Sequence, residues 1–209
     1  MSISFDDIET LFIQRGNEQY SGEPVSQLEH ALQCASLAEQ DGADAALVTA
    51  ALLHDFGHLL HDLGETPTLR GIDDLHQFRA LPLLRGLFGS EVLDPIALHV
   101  DAKRYLCANH AGYYASLSDD SKRSLALQGG IFSPEQSDAF MKKHGAAEAI
   151  RVRVWDDRAK LADCPTKNLG FPHLRQALLK GLKAIHQCLQ GGVLSMSLTF
   201  YIRYALGGV

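Results

Sequence analysis

The most constraining feature of this sequence is a nine-residue run, Ala45–Leu53, in which every residue except one threonine is apolar. Asp44 can cap a helix that starts there, and a helix with no polar face is buried on most sides. His54 and Asp55 follow the run directly. An adjacent imidazole and carboxylate could hold one metal ion together, or two ions if the carboxylate bridges, and both ligand types suit iron, manganese or zinc. The sequence therefore predicts a core helix that ends at a metal site.

The residues just after this pair differ in their expected roles. His58 lies four residues beyond His54, within reach of the same cavity if the turn stays helical. Gly57 allows another backbone segment to come close at this point. His61 and Asp62 lie past the turn, and we expect both in solvent. Of these residues, only His58 is predicted to face the site.

A capping box precedes the first of three other candidate histidines. Ser26 and Glu29 have the spacing at which each side chain satisfies a backbone N–H at the start of a helix. This predicts a helix over 27–40, with His30 beside its apolar stripe. Taken alone, His30 would more often be a structural histidine than a ligand.

A second candidate, His76, lies in a less regular part of the chain. The glycine, proline and threonine content of 63–70 predicts a loop. A short helical segment is expected over 73–80, and Pro82 should end it. His76 would then lie on this segment.

A third candidate, His99, lies on a helix that should open at Asp94-Pro95 and run through about Asn109, since an acidic cap followed by proline is typical of a helix start. Lys103 lies four residues beyond His99 and therefore on the same face. A charged lysine is a poor metal ligand, so the pair indicates either a ligand beside an anion-binding cation or a ligand beside a solvated lysine.

The last charged candidates lie on a helix predicted over 146–161. Arg153, Asp156 and Lys160 fall along one side of it, and Asp157 points elsewhere by about a hundred degrees. A carboxylate between two cations is either a surface ion-pair ladder or the rim of a charged pocket. The local pattern favours the ladder.

Helices are predicted for most of the remaining chain, so the expected fold class is all-α. The start and stop signals place helices over 5–15 and 174–190, one after the cap Ser118, and one from Ser133 to Gly145. The length fits one domain, which we assign to residues 1–190. Residues 191–209 form a β-prone apolar tail with no predicted role.

Composition limits the function classes. The chain has 209 residues, a formal net charge of −6 and a sequence pI near 5.9, which argues against nucleic-acid binding. We expect a cytoplasmic protein, since no stretch has the features of a signal peptide or of a membrane-spanning helix. A monomer or small homo-oligomer is expected. The four cysteines form no metal or redox motif, whereas ten histidines indicate metal or proton chemistry.

Together the candidates would suffice for two metal ions that share one carboxylate. The four imidazoles and two carboxylates are His30, His54, Asp55, His76, His99 and Asp156. Two ions with only two carboxylates leave a strongly positive centre, so an anionic substrate or hydroxide should bind there. The ligand types do not separate iron from manganese.

The order His30, His54-Asp55, Asp156 resembles the HD-domain superfamily, metal-dependent helical proteins that are mostly phosphohydrolases. The additional histidines His76 and His99 make the chain more similar to the oxygenase branch, and most similar to its mixed-valence di-iron members that cleave 2-amino-1-hydroxyethylphosphonate with O₂. This resemblance extends over some 160 residues. It implies an HD-type helical bundle, an Fe(II)/Fe(III) pair, and formation of glycine and phosphate by cleavage of the carbon–phosphorus bond.

The resemblance also implies a role for each matched residue. One iron would be held by His30, His54, Asp55 and Asp156, and the other by Asp55, His76 and His99. The phosphonate would be bound by His58, Lys103, Ser121, Arg153 and, on weaker grounds, Ser124. Glu23 would pair with the substrate ammonium, and Tyr20 would occupy an iron position until substrate displaces it.

Three other interpretations fit parts of the pattern. A phosphohydrolase of nucleotides or phosphate esters needs fewer ligands, but it leaves Tyr20, Glu23 and the two additional histidines without a purpose. A related oxygenase could take a phosphonate with a quaternary ammonium, although Glu23 suits a primary ammonium that donates hydrogen bonds. An inactive metal-binding scaffold fits poorly with a complete ligand set.

Overall fold

The computed structural model describes residues 3–20, 22–64 and 66–162, and within these ranges helices are the only extended regular structure. The α-helices are α1 (Phe5–Arg15), α2 (Gln27–Gln40), α3 (Ala45–Leu53), α4 (His76–Arg79), α5 (Leu81–Leu84), α6 (Ser90–Asn109), α7 (Tyr113–Ser116), α8 (Asp119–Leu127), α9 (Pro134–Met141) and α10 (Ala146–Arg158). Two 3-10 helices cover Phe56–Leu60 and Pro67–Arg70. The predicted all-α class is confirmed.

Side-chain caps fix the helices that carry the candidate residues. Ser26 Oγ accepts a hydrogen bond from the Glu29 backbone N–H at 3.2 Å, and Glu29 Oε2 accepts one from the Ser26 N–H at 2.8 Å. The Asp44 carboxylate accepts from the Leu47 N–H at 2.9 Å. Each cap satisfies backbone donors that would otherwise lack partners at a helix start. The predicted bounds of α2 and α3 are therefore confirmed.

The start of α6 was predicted wrongly from the position of its proline. Helix α6 begins at Ser90 and contains Pro95, because the additional first turn buries Val92 completely and this apolar contact offsets the hydrogen bond that proline removes. The short helix expected over 73–80 is α4, which starts only at His76 and ends at Arg79, before Pro82 as predicted; Pro82 itself lies in the first turn of α5. A proline is tolerated in a first turn because the N–H it lacks would have no partner there.

The starts of the last two described helices are as predicted, but both helices end earlier. Helix α9 ends at Met141, and Gly145 adopts φ +77° and leads into α10. This left-handed conformation suits glycine, which has no Cβ to clash. Helix α10 ends at Arg158, so Lys160 lies just beyond its end.

Helix α3 is the centre of the fold. It packs against α2, α6 and α10, and from Ala46 to Leu53 every residue is buried. One apolar cluster surrounds α3, and a second lies among α6, α7, α8, α9 and α10. The C-terminal end of α3 therefore meets three other helices inside the protein.

No helix in the described ranges is long and apolar enough to cross a membrane. The predicted helix over 174–190, the predicted domain boundary at residue 190 and the tail over 191–209 lie outside the described residues. The single-domain assignment therefore stays a prediction.

Candidate metal centre and substrate pocket

Asp55 lies between two pairs of histidines, and each of its carboxylate oxygens faces one pair. Oδ2 lies 3.5 Å from His30 Nε2 and 3.3 Å from His54 Nε2. Oδ1 lies 3.3 Å from His76 Nε2 and 3.4 Å from His99 Nε2. A carboxylate with one ligand pair at each oxygen is the arrangement expected of a bridging ligand between two ions.

The same ring nitrogen of all four histidines points toward this carboxylate, because the other ring nitrogen is bonded elsewhere. Nδ1 of His30, His54 and His99 lies within 2.9 Å of a backbone carbonyl oxygen, an atom that can only accept. Nδ1 of His76 lies 2.8 Å from Asp74 Oδ1. Each Nδ1 therefore carries the proton, and each Nε2 of a neutral ring is free to bind a metal.

Asp156 joins the first pair of histidines. Its Oδ1 lies 3.6 Å from His30 Nε2, and its Oδ2 lies 3.9 Å from His54 Nε2. Candidate ligand atoms of His30, His54, Asp55 and Asp156 all lie within 4.8 Å of one another, as do those of Asp55, His76 and His99. Among the groups of described residues that could hold a metal ion, these two therefore share Asp55.

The chemistry of these groups fits cations. His76 Nε2 and His99 Nε2 are 3.0 Å apart, and two nitrogens bound at right angles to one ion at about 2.1 Å would have nearly this separation. Burial lowers the pKa of His99 to about 4, which keeps its ring neutral and able to coordinate. Burial opposes ionisation of Asp156, yet the charges of Arg153 and Lys160 hold the pKa of this carboxyl below its usual value.

Asp74 is a site residue that the sequence did not indicate. Its carboxylate is bonded by three imidazoles: His58 Nδ1 at 2.6 Å, His76 Nδ1 at 2.8 Å and His61 Nε2 at 3.0 Å. His61 was predicted to lie in solvent, and this was wrong, because the buried Asp74 holds its ring against the protein. Asp62 was predicted correctly, with a side chain 95% exposed.

Gly57 allows the 3-10 helix Phe56–Leu60 to pack close to the candidate ligand His76. A Cβ atom at Gly57 would lie 2.0 Å from the His76 carbonyl oxygen, far inside van der Waals contact. The 3-10 helix Phe56–Leu60 therefore packs directly on the backbone of α4. His58, on this 3-10 helix, stacks on the His76 ring at a centroid distance of 4.1 Å.

Four cationic side chains line the cavity beside the candidate ligands: His58, Lys103, Arg153 and Lys160. Lys103 is 2% exposed, so the alternative of a solvated lysine is wrong, and its Nζ donates to Ser124 Oγ at 2.8 Å. Burial and the nearby Arg153 lower the pKa of Lys103 to about 7. Burial works against the charge of His58, but the hydrogen bond to Asp74 and attraction to Asp55 raise the pKa of His58 to about 9.

Arg153 is buried and oriented by hydrogen bonds to acidic side chains. Its Nη1 donates to Asp156 Oδ2 at 2.6 Å, and its Nε donates to Asp157 Oδ2 and to the Tyr113 hydroxyl, each at 3.1 Å. The stripe of charges on α10 is therefore part of a buried pocket and not a surface ladder. Asp157, predicted to point elsewhere, also holds the Arg153 guanidinium.

Tyr20 and Glu23 also line the cavity. The Tyr20 hydroxyl donates to Asp55 Oδ2 at 2.7 Å, and its ring stacks on His30 at 3.9 Å. Lys160 Nζ lies 3.3 Å from Glu23 Oε1 and 3.4 Å from Ser121 Oγ. Lys160 was predicted to lie on the same side of its helix as Asp156, but it was not among the predicted site residues.

The structure brings all thirteen predicted site residues into one region. The cavity is lined by Tyr20, Glu23, Asp55, His58, His76, His99, Lys103, Ser121, Ser124, Arg153 and Asp156, while His30 and His54 lie behind Asp55. It combines two candidate metal groups with buried cations and hydroxyl donors. Such a pocket suits a small substrate with a phosphonate or phosphate group.

Similar proteins carry names that fit this chemistry. A [1-hydroxy-2-(trimethylamino)ethyl]phosphonate dioxygenase (glycine-betaine-forming) of Leisingera caerulea is 40% identical over 156 residues, which cover 75% of this chain and 80% of the relative. A hydroxymethylphosphonate dioxygenase of Gimesia maris is 40% identical over 165 residues, 78% of this chain and 80% of the relative. The chain belongs to the phosphonate dioxygenases. An uncharacterised protein of Acanthamoeba polyphaga mimivirus is 32% identical over 163 residues, 77% of this chain and 74% of the relative.

No protein-family model matches the chain. Membership among the phosphonate dioxygenases supports an oxygenase and disfavours the phosphohydrolase alternative. The two named relatives differ at one end of their substrates: one substrate carries a trimethylammonium group there, and the other has only the hydroxymethyl carbon. The substrates of these two relatives therefore differ at the end away from the phosphonate.

Proposed function

We propose that this protein is a di-iron oxygenase that cleaves the carbon–phosphorus bond of 2-amino-1-hydroxyethylphosphonate with O₂, giving glycine and phosphate. The atoms balance, since one substrate molecule and one O₂ supply all atoms of the two products. The observation that carries the proposal is the pair of ligand groups sharing Asp55, open to a pocket that contains buried cations. The names of the similar phosphonate dioxygenases support it.

The proposed ligands divide between two sites. His30, His54, Asp55 and Asp156 would hold one iron, and Asp55, His76 and His99 the other. The bound irons, as an Fe(II)/Fe(III) pair, would supply Lewis acidity for the substrate oxygens and the redox chemistry for O₂. The protonated Nδ1 atoms keep the four imidazoles oriented for this role.

The phosphonate would be bound by charge and by hydroxyl donors. Arg153 is held rigidly by two carboxylates and is ready to donate its remaining N–H groups to phosphonate oxygens. His58 has its Nδ1 bonded to Asp74, so its Nε2 proton is available on the cavity side. Lys103 adds a third cation, and it would hold its proton more tightly once a phosphonate is bound beside it. Ser121 and Ser124 offer hydroxyl groups on the same wall.

Glu23 and Tyr20 would act at the other end of the substrate. Glu23 is the acidic residue proposed to pair with the substrate ammonium. The Tyr20 hydroxyl lies on Asp55 Oδ2, among the candidate ligand atoms, and substrate would have to displace it. Tyr20 would thereby limit access of O₂ to the centre before substrate binds.

The test is phosphate release from 2-amino-1-hydroxyethylphosphonate by the Fe(II)-loaded protein, with and without O₂. We expect release only in the presence of O₂, with glycine in equal amount, and loss of release in the Asp55→Asn variant. Serial assays with the trimethylammonium and hydroxymethyl compounds identify the preferred phosphonate. O₂-independent hydrolysis of nucleotides or phosphate esters, with no release from any hydroxyphosphonate, would refute the proposal.

A further inference from the structure

The carboxylate proposed to bind the substrate ammonium already has an ammonium partner in this chain. Lys160 Nζ lies 3.3 Å from Glu23 Oε1, and both side chains are largely buried, 14% and 15% exposed. The two residues line the same cavity as the candidate ligands. An ammonium-bearing substrate that reaches Glu23 must therefore share this carboxylate with Lys160 or displace it.

Lys160 is charged and has other partners if Glu23 is taken. Although burial works against its charge, the carboxylates of Asp156, Asp157 and Glu23 outweigh that effect and raise the pKa of Lys160. Its Nζ also lies 3.4 Å from Ser121 Oγ and 5.6 Å from the centre of the Tyr20 ring. Displacement from Glu23 would therefore leave the lysine near a hydroxyl group and an aromatic ring.

The three kinds of substrate end make different demands on this pair. A hydroxymethyl group has no cation and can leave the Glu23–Lys160 pair intact. A primary ammonium donates hydrogen bonds, so it can replace the one that Glu23 loses from Lys160. A trimethylammonium has no N–H, so its entry would leave the buried Glu23 without that hydrogen bond, and losing a bond to a buried charge is costly.

We propose that Lys160 is a specificity-determining residue, which competes for Glu23 and so disfavours phosphonates that carry a quaternary ammonium. The inference rests on the proposed phosphonate pocket. Lys160 would act at the substrate end distant from phosphorus, where it adds to Glu23 a discrimination against a quaternary ammonium that Glu23 alone cannot make. Lys160 acts by occupying the acceptor and not by contacting the bond that breaks.

The experiment measures anaerobic binding of the three hydroxyphosphonates to the iron-loaded full chain by calorimetry, because no turnover occurs without O₂. Lys160→Met keeps the length of the side chain and removes its charge. We expect the affinity of this variant for the trimethylammonium compound, relative to the hydroxymethyl compound, to rise by about tenfold or more. Lys160→Arg keeps the cation and should retain the ratio of the native protein.

Two results would overturn the inference. If Lys160→Met leaves all three affinities unchanged, the lysine does not compete for Glu23. If the variant loses affinity for all three compounds by the same factor, so that the ratio stays the same, Lys160 is a phosphonate-binding residue instead. The double variant with Glu23→Gln completes a double-mutant cycle. Once residue 23 is neutral, Lys160→Met should no longer change the affinity ratio. Should Lys160→Met fail to fold, Lys160→Gln, which also removes the charge, must raise the same ratio.

The design separates this inference from the proposed function. Parallel assays in air record O₂-dependent phosphate release from the same three compounds. If Lys160→Met changes the affinity ratio but no compound releases phosphate, the oxygenase proposal is refuted and the role of Lys160 in specificity is retained. If phosphate is released but Lys160→Met leaves the affinity ratio unchanged, the oxygenase proposal is retained and the role of Lys160 is refuted.

Discussion

The Tyr20 hydroxyl is bonded to the carboxylate oxygen that faces His30 and His54, so a change of one atom tests its role. Tyr20→Phe keeps the ring stacked on His30 but frees this position. We expect phosphate release to persist and O₂ consumption without substrate to rise several-fold, measured with an oxygen electrode. Tyr113→Phe is the matched control, since it removes a buried hydroxyl that is bonded to Arg153 and Asp157 and not to Asp55. Equal O₂ consumption in both variants would contradict a gating role for Tyr20.

Lys103 predicts a pH dependence. Its pKa is lowered to about 7 by burial and by the neighbouring Arg153, so the amine is charged below that pH and loses its proton as the pH rises through it. Because a phosphonate needs the charged form, KM should increase above about pH 7. The Lys103→Arg variant stays charged and should lose this increase, while ionisation of the substrate affects both proteins alike. The same pH profile of KM in both proteins would exclude Lys103 as its source.

At the scale of elements, the turn between Asp74 and His76 contains backbone strain. Leu75 has φ +53° and ψ +32°, is 47% exposed and precedes α4. This left-handed conformation costs a non-glycine residue about 1–2 kcal/mol, and the conformational entropy of glycine offsets roughly 0.5–1 kcal/mol. Leu75→Gly should therefore raise the free energy of unfolding by about 0.5–1 kcal/mol, measured by urea denaturation. Leu75→Ala keeps the unfavourable φ, and a stabilisation as large as that of glycine would contradict the strain.

The elements that carry most candidate residues were predictable because their signals are local. Capping side chains and an apolar run fix α2 and α3, and these place His30 and His54 inside the protein. The glycine at position 57 indicated a close backbone approach, which is confirmed, although its partner was unknown from sequence.

Other parts of the site depend on contacts between distant segments, and no local pattern reports them. Asp74 receives hydrogen bonds from the 3-10 helix Phe56–Leu60, and Lys160 reaches Glu23 across 137 positions of sequence. Asp157 was misplaced because helical geometry gives the direction of a side chain from its own axis. It does not give the reach of the long Arg153 side chain toward it.

On the scale of the whole molecule, the candidate ligands tie together helices that are distant in sequence. His30 lies on α2, His54 and Asp55 follow α3, and His76, His99 and Asp156 lie on α4, α6 and α10. Helices α6 and α10 also contribute to both apolar clusters. Ions bound by these groups would link segments that separate on unfolding, so metal affinity and folding stability should be coupled.

This coupling predicts a metal-dependent melting temperature. An ion at a free concentration a hundred times its Kd stabilises the folded state by about 2.7 kcal/mol, which corresponds to roughly 5–11 °C for a chain of this size. We expect anaerobic Fe(II) to raise the melting midpoint by such an amount and a chelator to reverse it. His30→Gln and His76→Gln, one from each ligand group, should each reduce the shift, whereas His110→Gln, at the end of α6 and outside both groups, should keep it. If Fe(II) raises the melting midpoint of His30→Gln and His76→Gln as much as that of the native protein, the ions do not bind at the two groups that share Asp55.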